Sequence, residues 1–340
     1  MAIERLELKN FTVFEKLDVA WGPGINVLIG ENGTGKTHIM KVLYSACQAS
    51  SSKVSFSQKL VLTMFPDEYK LSRLIRRKQG NQSASIQVTA SEEGRRRILS
   101  SEFHMKTRKW EAVVKGEEQW ERDFGKLGSI FIPAKEILSN SYNLAAAVKK
   151  DNVRFDDVYL DIIDSAKVDV LPGRNTDDQN RKLREIERIV KGKVWYDSEK
   201  DEFYLKQGNS RWEFNLVAEG IRKMALLWQL VKNGALEKGT VLFWDEPEAN
   251  LCPVHIPVLA ELLLLLQRNG VQIFVATHDY MFAKYLEVKK QEKNHLCFHS
   301  FYREGGEVRH EMEECFDGLK SNPIVKAFDR LLDEIYDMGE

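Results

Sequence analysis

Cysteine is scarce: Cys47, Cys252, Cys297 and Cys315 are the four in 340 residues, with no CxxC pair and no histidine at metal-ligand spacing. That excludes a disulfide-framed scaffold and a zinc module, and reduced, mostly packed thiols are expected. Long apolar runs are also missing. The longest, Val258–Leu266, is nine residues with Glu261 inside it, well short of the roughly 20 that a bilayer span needs. The opening MAIERLELKN holds no apolar signal core, so a cytoplasmic chain without membrane attachment is expected. Net charge nearly vanishes, with 50 Lys+Arg against 51 Asp+Glu, which excludes a uniformly basic or acidic protein. There is no internal repeat, and no heptad run long enough for a coiled-coil arm. What is plentiful is core-forming material: 43% hydrophobic residues, including 17 Phe, ten Tyr and seven Trp, rule out a disordered chain. The length suits one large α/β domain carrying an insertion, or two ordinary domains.

The neutral total hides a local bias. Residues 70–115 hold twelve Lys/Arg and four Glu, a balance of +8, while residues 301–340 hold five basic and eleven acidic residues, a balance of −6. Arg76-Arg77-Lys78 and Arg95-Arg96-Arg97 could meet phosphates through counterion release, or form a solvated face.

Alternation and punctuation give the organisation. Ile3, Leu6 and Leu8 open a strand that turns back near Phe11 and Phe14, and Gly24–Gly30 is a short buried strand bounded by glycines. A helix follows from about Lys36 to Ala49, then a Ser-rich segment, Gln48–Ser57, read as an exposed loop. Residues 83–90, 97–105 and 109–114 alternate as strands of an antiparallel meander holding the basic clusters, and Ser129–Ile132 is a further core strand. From Ala134 to about Gly192 the pattern is helical and polar. A hairpin over Lys193–Tyr196 and Phe203–Leu205 comes next. Beyond it helices Ala218–Asn233, Val254–Arg268 and Asp279–Val288 alternate with strands Val241–Trp244 and Val271–Ala276, which predicts a mainly parallel sheet with helices on both faces. The expected division is 1–133, 134–215 and 216–340: an N-terminal lobe with the meander, a mostly helical insertion with the hairpin, and a C-terminal lobe. A small strand pair and a helix over Asn322–Tyr336 are expected to end the sequence.

Gly30-Glu31-Asn32-Gly33-Thr34-Gly35-Lys36-Thr37 fits GxxxxGK[ST] between a predicted strand and a predicted helix, the context that confirms a P-loop. Its glycines let consecutive N–H groups point at phosphate oxygens, and the helix start adds its positive end. Lys36 is placed for the β- and γ-phosphates and the Thr37 hydroxyl for Mg²⁺. Strand 241–244 runs into Asp245-Glu246: Asp245 for the Mg²⁺ shell and Glu246 to polarise the attacking water. Strand 271–276 runs into Thr277-His278, an imidazole placed to sense the γ-phosphate. Asp156-Asp157, Asp177-Asp178 and Glu313-Glu314 have no histidine in ligand spacing and read as solvated acidic surface, so no nuclease centre is expected.

Together these motifs resemble the ABC-type ATPases of the SMC/RecF/OLD group in a small stand-alone bacterial form. Leu6–Phe11 through Thr37 is similar to that group's opening signature, Glu246–Pro253 to its Walker B and D-loop, and His278 to its switch histidine. The resemblance implies an ABC-ATPase-like mixed sheet and a homodimer or higher oligomer closing around ATP. Val217-Ala218-Glu219-Gly220-Ile221-Arg222-Lys223 falls at the signature position, with Ala218 where the group has Ser. Gly220 would then open a helix onto the partner's ATP, and Arg222 would supply a cation in trans. No Gln marks a Q-loop, a place left to Lys135 or Glu136. The implied activity is an ATP-driven switch for a separate effector of anti-phage or toxin–antitoxin type, with nucleic acid or a partner at 70–115. A non-hydrolysing ATP-dependent scaffold and a transporter ATPase subunit are the alternatives.

Overall fold

A computed structural model describes residues 2–338, apart from 52, 79, 81, 126–127, 151–152 and 170–174. The N-terminal third runs β1 (Ala2–Phe11), β2 (Phe14–Ala20), β3 (Ile25–Gly30), α1 (Lys36–Gln48), α2 (Phe56–Met64), β4 (Ser83–Glu92), β5 (Arg95–His104), β6 (Val113–Lys115), α3 (Glu117–Phe124) and β7 (Ser129–Ile132). The middle holds α4 (Leu144–Lys149), α5 (Asp157–Lys167), α6 (Asp177–Val190), β8 (Lys193–Asp197), β9 (Glu202–Gln207) and β10 (Ser210–Glu213). The rest is α7 (Glu219–Lys232), β11 (Val241–Asp245), α8 (Ile256–Arg268), β12 (Gln272–Ala276), α9 (Tyr280–Lys289), β13 (Leu296–Glu304), β14 (Glu307–Glu313) and α10 (Pro323–Asp337).

A six-stranded sheet of order β14-β13-β3-β12-β11-β7 is the centre of the α/β fold, parallel except for the antiparallel edge strand β14. Its strands are apolar on both sides, as a sheet covered on both faces requires. Leu28, Phe131, Phe243 and Phe274 face α1 and the antiparallel lobe, while Val27, Ile132, Trp244 and Val275 face α7, α8 and α9. On the first face Phe131, Phe243 and Phe274 stack at 6.2 and 5.1 Å, and Tyr44 of α1 meets two of them edge-on. The antiparallel sheet, β2-β1-β4-β5-β6, is tied to the central one by Gln272, whose amide exchanges hydrogen bonds with the Ile3 backbone at 2.8 and 2.9 Å. A third sheet, β10-β9-β8, with α5 and α6, packs into the same core as α7 and α8.

Several expectations change. The Ser-rich segment is less exposed than expected, with Lys53 alone fully exposed among its described residues: Ser55 caps α2, a helix the polar composition concealed, and Phe56 sinks into the core. Of the expected strand 109–114 only 113 and 114 are in a strand, β6, because Lys109 turns the chain at φ 43°. Arg95–Arg97 lie on β5, but Arg76–Lys78 precede the meander. The hairpin gains a third strand, β10, and β13 is no appendage, since it pairs in parallel with β3 inside the central sheet. Asp156 and Asp157 are not solvated surface. They pair with Lys41 and Lys59, and Lys59 also meets Asp161 at 2.7 Å, so α5 is bound to α1 and α2. Cys252 and Cys315 are exposed rather than packed, and all four cysteines are free. No described helix is long and apolar enough to cross a membrane.

Candidate functional site

Parallel register brings the motif loops to one edge. Asp245 is opposite Ala276, Ala276 opposite Leu28, and Gly30 opposite Phe301, so the loops after β3, β11 and β12 leave the sheet side by side. Open α/β sheets bind ligands at such an edge. Gly35 caps α1 at φ 92°, and a Cβ there would stand 2.5 Å from the Phe14 ring, so glycine is required. Thr34 is buried and donates to the Glu31 carbonyl at 2.9 Å, while Glu31, Asn32 and Gly33 form the exposed rim. Lys36 is 6% exposed and donates to the carbonyls of Gly30 and Glu31 at 2.8 and 3.0 Å. Burial pushes its ammonium down to about 8, against the pull of Asp245 and Glu246. An ammonium so desolvated, with only neutral carbonyls bound, favours an anionic oxygen in its place.

Thr37 donates to Asp245 at 2.9 Å, joining the two residues expected to serve the metal. Burial pushes the Asp245 carboxyl up, the Thr37 hydroxyl opposes this, and Glu246 adds to the rise. No group of three or more His, Cys, Asp or Glu among the described residues could enclose a metal. One hydroxyl and one carboxylate are the sparse donor set that suits Mg²⁺, which keeps waters and takes phosphate oxygens. Glu246 sits at φ 47°, its amide donating to the Ala276 carbonyl at 2.9 Å. Its carboxylate is 3.9 Å from Nε2 of His278, so the two expected catalytic residues stand together, each still open to solvent. Burial, then repulsion from Lys36, lowers the His278 pKa below its ordinary value, so the imidazole is neutral at pH 7. Glu248 accepts from Thr277 at 2.6 Å, while its Oε2 is buried with no hydrogen-bond partner. Burial pushes this carboxyl up to about 7.

The signature residues lie elsewhere. Gly220 is buried in the first turn of α7, where a Cβ would come within 2.3 Å of the Asn250 carbonyl oxygen. Arg222 is not poised as a free cation. Its guanidinium stands 2.7 Å from Glu136, whose side chain is 1% exposed, and donates to the carbonyls of Phe214 and Val217 at 3.1 and 2.9 Å. No hydrogen bond or ion pair among the described residues joins Gly220 or Arg222 to Lys36 or Thr37. Lys135 is exposed.

Beside the P-loop opens a cleft of about 430 Å³, lined by Thr12, Val13, His38, Arg73, Arg77 and Arg303 among others. His38 Nδ1 and Thr12 Oγ1 are buried with no partner, which fits a polar ligand there, and burial pushes His38 down to about 4. Arg303 donates to the Gly33 carbonyl at 2.9 Å. Sequence reasoning missed these residues: His38 adjoins the motif, but nothing in the spacing links Thr12 or Arg303 to it. In the basic segment, seven of the twelve cations have acidic partners: Lys70, Arg73, Arg76, Lys78, Arg95, Arg96 and Arg97. Those acids, Glu68, Asp67, Glu15, Asp123 and Glu4, lie outside the segment, which is why its own count overstates its field.

Known proteins share this arrangement. Over 61 residues the chain is 41% identical to the DNA replication and repair protein RecF of Halalkalibacterium halodurans, covering 18% of this chain and 16% of that one. Over 100 residues it is 31% identical to RecF of Bacillus cereus, covering 29% and 26%. The match thus spans roughly a sixth to a quarter of these relatives' length. Among solved structures, an SMC head bound to the C-winged helix domain of ScpA superposes with TM-score 0.61 at 12% identity, over 94% of this chain and 100% of that one. The Pyrococcus furiosus Smc head with an extended coiled coil, bound to the C-terminal domain of ScpA, gives 0.56 at 11% identity, over 98% and 99%. At such identity the likeness is one of fold. A family described as "AAA domain, putative AbiEii toxin, Type IV TA system" matches residues 25–282, three quarters of the sequence and all the motif loops above. The chain belongs to that AAA-domain ATPase family; part of it is similar in sequence to RecF, and its fold is like that of the SMC heads.

Proposed function

We propose that this chain is a Mg²⁺-dependent ATP hydrolase that works as a switch: it self-associates around ATP and thereby regulates a separate effector. The observation that carries the reading is the convergence of Lys36, the Thr37–Asp245 pair, Glu246 and His278 at one sheet edge. Lys36 would exchange its loop carbonyls for the β- and γ-phosphates. Mg²⁺ held through Thr37 and Asp245 would draw charge from the phosphate oxygens. Glu246, half open to solvent, orients a water, and neutral His278 beside it offers a donor to the γ-phosphate. The cleft at Thr12 and His38 would take the rest of the nucleotide.

Self-association is supported at α7, whose N-cap Ala218 gives no side-chain hydrogen bond to the first turn. A helix start without a side-chain cap suits an anion brought by a second copy. A separate effector, a role in anti-phage defence or a toxin–antitoxin pair, and a cytoplasmic setting are read from the family; the SMC heads bound to ScpA domains show such a fold holding a partner. Cleavage of nucleic acid is assigned to the effector. Arg77, Lys106, Arg108, Lys109 and Lys115 are exposed cations in 70–115 and form the candidate contact for nucleic acid.

Steady-state ATPase and nucleotide-binding assays on the full chain test the core claim. Lys36→Ala should lose binding. Glu246→Gln should keep it while turnover falls by about 10²-fold or more. Undiminished turnover by purified Glu246→Gln would remove Glu246 from the mechanism.

A further inference from the structure

Lys223 lies in the second turn of α7, and its long side chain is 2% exposed. Burying an ammonium without a paired carboxylate is costly, yet no ion pair reaches Lys223 among the described residues. Its Nζ instead donates to two backbone carbonyls, Ala249 at 3.0 Å and Glu246 at 3.3 Å. Both lie in the turn that follows β11. That turn is unusual in itself: Glu246 and Asn250, neither of them glycine, have φ of 47° and 63°. The Glu246 carbonyl also accepts from the Ala249 amide at 3.1 Å, so the ammonium joins a bond that already closes the turn. One helical turn earlier, Gly220 leaves the room in which the Asn250 carbonyl rests against α7. Close approach and clamp therefore fall on the same helix face, three residues apart. A non-glycine residue held at positive φ stays there only where its surroundings over-determine it. Here that residue carries the carboxylate beside His278.

We propose that Lys223 is a positioning residue for ATP hydrolysis: by holding the Glu246 and Ala249 carbonyls it fixes the backbone from which the Glu246 carboxylate projects, and it makes that carboxylate follow helix α7. This rests on the ATPase reading above and adds a residue that touches neither nucleotide nor water. The carboxylates of Glu219, Glu248, Glu246 and Asp245 surround the ammonium at longer range and help to keep it charged, although burial lowers its pKa. Methionine fills nearly the same volume but has no donor. In its place the turn is free to relax and the carboxylate loses its aim, which should reach kcat and spare binding, because Lys36 and Thr37 are on another loop.

The test compares wild type, Lys223→Met, Glu246→Gln and the double variant as full chains, measuring kcat, KM, melting temperature and the affinity for a fluorescent ATP analogue. Wild-type turnover comes first: without it the ATPase reading itself fails, before Lys223 is at issue. Given turnover, Lys223→Met should lower kcat by about 10-fold to 100-fold while KM and analogue affinity stay within about 3-fold. In the Glu246→Gln background the same change should have no further effect, because a residue acting through Glu246 cannot act twice. Unchanged kcat, parallel losses in kcat and affinity, or independent multiplication of the two effects would overturn the proposal. If Lys223→Met fails to fold, Lys223→Gln, which keeps one amide donor, should fold with intermediate kcat, and wild-type kcat in that variant would equally overturn it.

Discussion

Replacing Arg222 by Ala separates two roles that the sequence could not. In the structure the guanidinium is 16% exposed and faces a Glu136 side chain that is 1% exposed, with the carbonyls of Phe214 and Val217 as further acceptors. Removing it leaves a buried carboxylate without its counter-charge and two backbone oxygens without their donor. Breaking a buried pair from one side costs roughly 3–5 kcal/mol, far more than the pair is worth against an apolar replacement. For 340 residues the entropy of unfolding is about 0.7 kcal/mol/K, so the nucleotide-free protein should melt some 4–7 °C lower. Changing Glu136 to Gln as well should recover much of that loss, since the stranded charge is then gone. Differential scanning fluorimetry of the three proteins without nucleotide is sufficient. If Arg222 acts only as a cation toward a second subunit, the Ala variant will melt with wild type and lose only ATP-dependent association. That outcome would refute the in-chain reasoning.

Glu246→Gln should self-associate when ATP and Mg²⁺ are added, as read by light scattering, whereas Lys36→Ala should not; an assembly state indifferent to nucleotide would favour a scaffold. Glu248 gives a pH dependence of definite sign. With the folded carboxyl at about 7 against an ordinary 4.5, the folded state binds the extra proton, so this group's contribution is intact below pH 4.5 and is lost as pH rises towards 7. Nucleotide-free Glu248→Gln should therefore be more stable than wild type at pH 8, by up to about 3 kcal/mol, with the gap closing near pH 4.5; equal melting curves across that range would contradict it. Charge reversal at Arg77, Lys106, Arg108 and Lys109 should weaken any nucleic-acid binding and flatten its salt dependence more than reversal at Arg95 and Arg96, which already face Asp123 and Glu4.

What the sequence disclosed was whatever is contiguous. The P-loop is eight successive residues, and Asp245-Glu246 and His278 each close an apolar run, so both their chemistry and their place at strand ends could be read directly. Alternation such as Leu242 and Trp244 against Val241 and Phe243 is buried on two faces and gave the parallel core. Pairings made across the fold left no such trace. Glu136 with Arg222, Gly33 with Arg303, and Lys41 with Asp156 join elements distant in sequence, and each charged partner alone reads as a surface charge. Lys223 was equally concealed, since its acceptors are main-chain oxygens that belong to no residue type. The Ser-rich segment misled for the opposite reason: its composition matched a loop, while its end at Phe56 and Ser57 is buried as the start of α2.

The position of β3 sets a clock on the completion of the sheet edge that carries the P-loop. Its hydrogen-bonded neighbours are β12 and β13, and the P-loop that it feeds is braced by Phe301 and Arg303. During synthesis β3 and its P-loop precede both neighbours by a long stretch of chain: β12 begins at Gln272 and β13 at Leu296. At roughly 5–20 residues per second that interval is on the order of ten seconds to a minute. For that time the most recognisable motif in the sequence lacks the strands that flank it in the folded sheet. A message truncated before β12 would yield a chain with a legible P-loop motif and no finished sheet beneath it.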